Sequence, residues 1–368
     1  MRIGMKISPL TVLRAGIPNY ILNLLKSLGR EDDVNSYFLY TNRPLDFDLD
    51  LPDRFRTVLV RYPSPRLQLW YQLGLPLRMM RDRIDLFHDP VFPLPLLLPV
   101  PGVITVHDLS GYTDPGLHNR RTALGARLLP LHVRRARMIM ADSGYTASQL
   151  ESHFPGCGNK TLVVPLGVSE AFRPVDDPAL LDEVRSLYGL PMRFLLFLGT
   201  LEPRKNLPRL LDAFADCSSE VPHALVIAGG LGWKYSALME AVSGHPAADR
   251  IILTGYVSDE HLPALLTMAE FLVYPSLLEG FGLPVLEAMA CGTPVITSAS
   301  SSLAELAGNA ALLADPLSVD SISECIMRMA SEKELRKELS ERGIRRASGY
   351  NWERTARETL RVYHRVAD

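Results

Sequence analysis

Strand and helix patterns alternate along almost all of the 368 residues, which predicts an α/β protein built on parallel sheets with helices on their faces. Two further observations divide it. The rhythm lapses at Pro165-Leu-Gly-Val-Ser-Glu-Ala-Phe-Arg-Pro174 and then restarts, so two similar halves are expected, with a boundary near residue 170. In each half an apolar strand runs into a glycine-bearing loop that opens a helix. Open α/β sheets take ligands at that carboxyl edge. Two such halves joined by a short linker predict a cleft between them.

Composition removes several alternatives. The chain is 47% hydrophobic and 22% charged, which suits a globular protein with substantial cores. Its formal net charge of -2 gives no general attraction for nucleic acid, so no nucleic-acid partner is expected. Cys157, Cys217, Cys291 and Cys325 are scattered without CxxC pairing, so neither a zinc site nor a disulfide framework is indicated. Met1-Arg-Ile-Gly-Met-Lys-Ile reads as a strand rather than a signal peptide, and no apolar run is long enough to span a bilayer. A reducing, cytoplasmic location is the default expectation. No repeat of 20–50 residues is apparent.

In the first half, strands are expected at Ile3–Ile7, Tyr37–Tyr40, Thr57–Val60, Asp85–His88, Val103–His107, Met138–Ala141 and Leu162–Val164. A helix lies between the first two. Pro18 opens it, Ile17, Ile21, Leu24, Leu25 and Leu28 recur as its apolar residues, and Gly29 closes it. The loop before it, Thr11 to Gly16, then sits at the carboxyl end of the first strand. Pro90–Pro101 is too rich in proline for a regular helix and reads as a buried wall, with an apolar lip as the alternative. His88 and His107 both stand at strand ends. His88 reads equally as a structural residue and as one lining the acceptor side.

In the second half, strands are expected at Phe194–Leu198, Ala224–Ala228, Ile251–Leu253, Phe271–Tyr274 and Val295–Thr297. After Phe271–Tyr274 comes Glu279-Gly-Phe-Gly-Leu-Pro-Val-Leu-Glu287. Gly280 and Gly282 favour a turn, and Pro284 suits the first helical position. Glu287 would then fall in the first turn of a short helix ending at Gly292. A strand, a glycine loop and a helix start, flanked by two carboxylates, suit a ligand carrying both phosphate and hydroxyls. Two carboxylates alone would also invite comparison with a hydrolase. A second strand-to-helix loop, Gly199-Thr-Leu-Glu-Pro-Arg-Lys-Asn206, sets Arg204 and Lys205 at a helix entry, where cations and backbone N–H groups together favour an anion. Gly229-Gly-Leu-Gly232 lacks the spacing of a dinucleotide fingerprint and reads as a tight turn, with Lys234 a minor phosphate candidate.

Residues 194–214 and 274–297 together resemble the donor half of retaining glycosyltransferases of family 4, which have the GT-B fold. The family's two glutamates with seven residues between them match Glu279 and Glu287, and the family's Arg-Lys pair matches Arg204 and Lys205. More weakly, Gly16 matches the first-loop glycine, His107 the histidine of the first domain, and Val164-Pro-Leu-Gly-Val168 the linker. The resemblance implies an α/β GT-B architecture: two Rossmann-like parallel-sheet domains facing across a cleft. Residues 1–170 would bind acceptor and 171–350 the nucleotide-sugar donor. A C-terminal helix, 351–368, would pack back on the first domain.

The resemblance also implies roles. Arg204 and Lys205 would neutralise the donor diphosphate, and Glu287 would accept from the ribose hydroxyls. Glu279 would accept from the transferred sugar, and His107 would contact that sugar without acting as a base. Gly16, Gly199, Glu202, Gly280, Phe281, Gly282 and Leu283 would complete the donor site. Transfer would be retaining and metal-independent, with no cofactor and no protein nucleophile. The string Gly-Thr-Leu-Glu-Pro-Arg-Lys-Asn resembles the mannosyltransferase-like branch, which favours GDP-mannose as donor and a glycan or lipid-linked saccharide as acceptor.

Some features stay open. Arg14-Ala15-Gly16 stands where many relatives have paired glycines, and Ser169 where many have Asp. An epimerase, a pyridoxal-dependent phosphorylase or a non-catalytic nucleotide-sugar binder could use the same scaffold, although no lysine motif suggests pyridoxal phosphate. Arg66–Tyr71 and Leu77–Arg83 mix basic and apolar residues, as peripheral contact with the inner face of a membrane requires; ordinary amphipathic packing explains them as well.

Overall fold

A computed structural model of the chain describes residues 1–11, 16–61, 69–230, 232 and 236–367. Arg14, Ala15, Arg66 and Lys234 lie outside these. The chain forms two compact units. One comprises Met1–Pro115, Arg120–Gly167 and Asn351–Asp368; the other comprises Gly116–Asn119 and Val168–Tyr350.

The first unit holds a seven-stranded sheet: β1 (Arg2–Lys6), β2 (Ser36–Thr41), β3 (Phe55–Leu59), β4 (Leu86–Asp89), β5 (Gly102–Val106), β6 (Met138–Ala141) and β7 (Thr161–Val163). Its order is β3-β2-β1-β4-β5-β6-β7, with every pairing parallel. The central strands are buried along their length, since helices cover both faces and leave no polar side to alternate with. The first long helix runs Gly16–Glu31, past the glycine expected to end it. Gly29 is small for a different reason: a Cβ there would lie 3.2 Å from the Pro52 ring. The helix Trp352–Ala367 packs in this unit, where Thr355 Oγ1 donates to the Pro165 carbonyl at 2.7 Å. A Cβ on Gly167 would fall 2.3 Å from the Trp352 nitrogen, so only glycine lets the chain pass the start of that helix.

Pro90–Pro101 is irregular and divides between the two readings given for it. Leu94 is fully buried, whereas Leu96 and Leu97 stand in solvent. Asp89 anchors the start of this loop by accepting the N–H groups of Val91 and Phe92, and it pairs with Lys6 at 2.6 Å. Tyr71 donates to Asp89 and to the Pro93 carbonyl.

The second unit holds six parallel strands: β8 (Phe194–Leu198), β9 (Ala224–Ala228), β10 (Ile251–Gly255), β11 (Phe271–Tyr274), β12 (Val295–Ser298) and β13 (Leu312–Ala314), in the order β10-β9-β8-β11-β12-β13. β13 was not expected. At three residues, only one of them buried, it is too short and too exposed to carry an apolar signature. Among the described residues no helix is long and apolar enough to cross a membrane.

Candidate active site

In the second unit the strand order reverses direction between β8 and β11, the position at which open α/β sheets receive ligands. Pairing of Leu195 with Phe271 and of Leu196 with Leu272 sets the carboxyl ends of these strands side by side. The loops that follow therefore meet, although their charged residues lie some 75 positions apart.

The loop after β8 closes as a single 3-10 turn, Pro203–Lys205, and hands over to the helix Leu207–Cys217 through Asn206 at φ 62. Asn206 Nδ2 donates to the carbonyls of Pro275 and Pro316, which pins this turn to the loop after β11. Arg204 and Lys205 are thus held on one carboxylate. Arg204 Nη1 donates to Glu279 Oε2 at 2.6 Å and to the Leu278 carbonyl at 2.9 Å, while Nε and Nη2 donate to Glu202 Oε1. Lys205 Nζ donates to Glu279 Oε1 at 2.7 Å and to Tyr274 Oη, and Tyr274 in turn donates to Glu279 Oε1 at 3.0 Å. Ser302 Oγ holds the Glu279 carbonyl at 2.8 Å.

Two cations and two carboxylates cancel within this cluster. Burial by itself would raise the Glu279 pKa, but Arg204 and Lys205 outweigh it and hold the carboxyl at about 2. Burial lowers the Lys205 pKa, and the Glu279 charge opposes that fall. Oε1 of Glu279 has both acceptor positions filled, so only Oε2 keeps a place for a sugar hydroxyl. The hydrogen bonds expected from the hydroxyls of the transferred sugar would have to be accepted there. Most of its acceptor capacity goes to orienting the two cations.

Glu287 lies apart from this cluster. The helix runs Leu283–Ala290 with Pro284 in its second place, so Glu287 is its fifth residue rather than a first-turn residue. The early start follows from Gly282, whose φ of 108 turns the chain into the helix, and where a Cβ would meet Leu303 at 2.6 Å. Phe281 is buried edge-on to Tyr350, so of this residue the backbone is what a ligand could meet. Among the described residues none donates a hydrogen bond to the Glu287 side chain. Burial, with Asp259 adding repulsion, pushes its carboxyl up to about 7. If ribose hydroxyls donate to the ionised form, nucleotide affinity rises with pH up to about 7 and levels off above it. One unit below that value, binding should be roughly tenfold weaker. Titration calorimetry between pH 6 and 8 reads this, and Glu287→Gln should flatten the profile. A wild-type profile already flat would remove the ribose role.

The loops after β8 and β9 touch through glycines. Gly229 has φ 143, and a Cβ there would sit 2.0 Å from the Gly199 oxygen; a Cβ on Gly232 would sit 2.5 Å from the Leu201 oxygen. Gly229→Ala is therefore expected to displace residues 199–201, costing about 3 kcal/mol and the loop geometry with it. Chemical denaturation of the variant checks this.

Gly16 and His107 belong to the first unit. Gly16 is exposed, and a Cβ there would meet nothing within 4 Å among the described residues, so their packing does not require glycine at this place. His107 Nδ1 faces Asp142 Oδ2 at 2.7 Å and Nε2 faces the Pro90 carbonyl at 2.9 Å. Both nitrogens confront acceptors. Burial disfavours the imidazolium, but Asp142 outweighs it and raises the pKa. His107 is a donor and has no free nitrogen with which to act as a base. His88 is buried completely: Nδ1 meets Tyr363 Oη at 2.8 Å, Nε2 meets Thr105 Oγ1 at 2.9 Å, and burial pushes its pKa down to about 3. Its place is structural, since it ties the C-terminal helix to β4 and β5, and it lines no open surface.

Sequence reasoning missed Tyr274 and Asn206. A tyrosine ending an otherwise apolar buried strand was the available signal, because a buried phenol needs a partner. Asn206 offered none that distinguishes it from a helix cap.

A site of paired cations at the switch point of a Rossmann-like sheet, in a chain with a second such sheet, defines a GT-B glycosyltransferase. The profile "Glycosyltransferase Family 4" matches residues 14–172, and "Glycosyl transferases group 1" matches residues 189–346. The chain is 31% identical to the O-antigen chain mannosyltransferase B of Escherichia coli over 99% of both chains. It is 33% identical to a GDP-mannose-dependent alpha-(1-6)-phosphatidylinositol dimannoside mannosyltransferase of Mycobacterium tuberculosis, over 66% of this chain and 65% of that one. The structure superposes on sucrose-phosphate synthase from Thermosynechococcus elongatus with a TM-score of 0.78 at 21% identity, covering 99% of this chain and 98% of that one. The chain belongs to glycosyltransferase family 4, in its mannosyltransferase-like branch.

Proposed function

We propose that the enzyme transfers mannose from GDP-mannose to a glycan or lipid-linked saccharide in polysaccharide or glycoconjugate assembly, with retention and without a metal ion. The observation that carries this reading is the side-by-side placement of Arg204 and Lys205 on Glu279 at the switch point of the donor sheet. As the glycosidic bond breaks, negative charge builds on the departing diphosphate. Cations already oriented in a dry site stabilise that charge without reorganising, the role a divalent ion takes elsewhere. Glu202 is the exchangeable partner: a diphosphate oxygen replaces it on Arg204, while Glu279 stays as the anchor. Backbone N–H groups around Phe281, Gly282 and Leu283 serve the sugar and phosphate oxygens. Glu287 takes the ribose, Gly199 and Gly16 allow close approach, and His107 meets the sugar by exchanging its Nε2 contact with the Pro90 carbonyl for a sugar hydroxyl. An acceptor hydroxyl attacks the developing oxocarbenium ion on the face the leaving group vacates and passes its proton to the departing diphosphate oxygen, so no protein nucleophile is needed.

The names of the relatives above, both mannosyltransferases and one GDP-mannose-dependent, support this donor. Thermal unfolding against a panel of nucleotide-sugars tests it. A ligand at a hundred times its Kd stabilises by about 2.7 kcal/mol, so GDP-mannose should raise Tm by several degrees and UDP- or ADP-sugars by less. A larger shift with a UDP-sugar would overturn the donor. No shift with any nucleotide-sugar would overturn the donor-site reading.

A further inference from the structure

The first unit carries apolar side chains in solvent where a folded surface usually places polar ones. In the helix Leu75–Asp82 and the π-turn before it, Leu73, Leu77 and Met80 follow i, i+4, i+7 spacing on an exposed stripe, while Leu75 and Met79 fill the core on the other side. Leu77 and Met80 are 66% and 63% exposed, and Leu97, in the irregular loop between β4 and β5, is 68% exposed. Hydrogen bonds place these segments side by side. The Leu96 N–H donates to Gln72 Oε1 at 2.8 Å, and Arg135 donates to the Pro95 and Leu96 carbonyls from the helix Leu129–Arg135. That helix adds the exposed Leu131, with Leu128 just before it. Single exposed leucines need no explanation. A set drawn from three adjoining segments does.

Charge identifies what covers it. Residues 69–82, 90–101 and 127–137, which build this face, contain six arginines and one carboxylate, Asp82, which pairs with Arg78 at 2.8 Å, in a chain whose formal net charge is -2. The remainder of the chain is therefore net negative, and positive charge is concentrated where the leucines are exposed. At the end of the helix Leu129–Arg135 an open pocket is lined by Arg137, Lys160, Arg365 and Asn159, with no carboxylate in its lining. Lys160 ties it to that helix by donating to the carbonyls of Arg134 and Ala136. Leucines that enter the acyl boundary, arginines whose stems lie along apolar surface with their heads at phosphate level, and a cationic pocket beside them match one partner.

We propose that this face docks the protein on an anionic lipid bilayer, and that the basic pocket takes a lipid phosphate. The proposal deepens the lipid-linked-acceptor reading and rests on it only for the purpose of docking. A second copy of the chain fits less well, since a two-fold contact would oppose arginines to arginines. Nucleic acid would leave the leucines without partners.

Co-sedimentation of the full chain with vesicles tests this, using phosphatidylcholine alone and phosphatidylcholine mixed with phosphatidylglycerol, at low and high salt. Binding to the mixed vesicles that salt weakens, and little binding to the neutral ones, is expected. Arg127→Glu with Arg134→Glu should weaken it roughly tenfold or more, and Leu77→Ser with Leu97→Ser should weaken it at both salt concentrations. Equal binding to the two vesicle types, no binding to either, or variants that bind like wild type would overturn the proposal. So would sedimentation equilibrium showing a wild-type dimer that the same variants dissolve. The GDP-mannose thermal shift is read on the same samples. A retained shift with vesicle binding lost separates docking from donor binding, and a shift absent in wild type strikes the donor reading while the vesicle result stands.

Discussion

Glu279→Ala is expected to destabilise the second unit by about 3–5 kcal/mol, the cost of removing one partner from a buried ion pair. The substitution strips Lys205 of the carboxylate it pairs with and leaves Arg204 with Glu202. Proton linkage gives a similar magnitude. A carboxyl held at about 2 against an ordinary value near 4.5 stores roughly 3 kcal/mol. Because this pKa is depressed, that contribution is present above about pH 4.5 and is lost as pH falls toward about 2. The variant should therefore lose less stability on acidification than wild type. For a unit of this size the shift in Tm is on the order of 10 °C. Scanning calorimetry is the suitable measurement, since two compact units need not melt together. Glu279→Gln keeps the shape and one acceptor but turns a donor or a neutral oxygen toward Arg204; it should fold and yet lose transfer. If Glu279→Ala melts with wild type, the glutamate does not anchor the cations.

Lys205→Ala is expected to lower the rate of transfer by about 10²–10³, the range found when one preorganised charge stabiliser is removed. Stability should suffer far less than in Glu279→Ala, because Glu279 keeps Arg204 and no charge is left unpaired. The loss belongs in kcat rather than in KM, since the leaving group gains its charge only as the bond breaks. Lys205→Arg should not restore it. Nζ sits between Tyr274 Oη and Glu279 Oε1 in a buried niche, and a planar guanidinium does not fit the space of a compact ammonium. Single-turnover transfer of labelled mannose reads the chemical step directly. A loss below tenfold would remove Lys205 from leaving-group stabilisation.

Much of the second unit was legible because its strands are buried on both faces. Phe194–Leu198, Ala224–Ala228 and Phe271–Tyr274 read as strands with the bounds they have in the structure, being continuous apolar runs closed by Gly or Pro. The misplaced ends had other causes. Gly29 suggested a helix stop but is small to make room for Pro52, and Gly282 begins its helix before the proline that suggested the start. His88 could not be assigned from its neighbours along the chain, since its partners Thr105 and Tyr363 lie 17 and 275 residues away.

Local chemistry by itself determined the alternation of strand and helix, the two loops where an anion could be met, and the residues able to meet it. Glycine, proline and apolar periodicity act over a few residues, and those readings needed nothing further. Only the tertiary structure decided that Arg204, Lys205, Tyr274 and Glu279 form one buried cluster, while Glu287 stands apart, with no partner for its carboxyl among the described residues. Strand order is the physical reason. Placing β8 beside β11 brings two loops some 75 residues apart to one edge, and neither sequence spacing nor local propensity encodes which strands become neighbours.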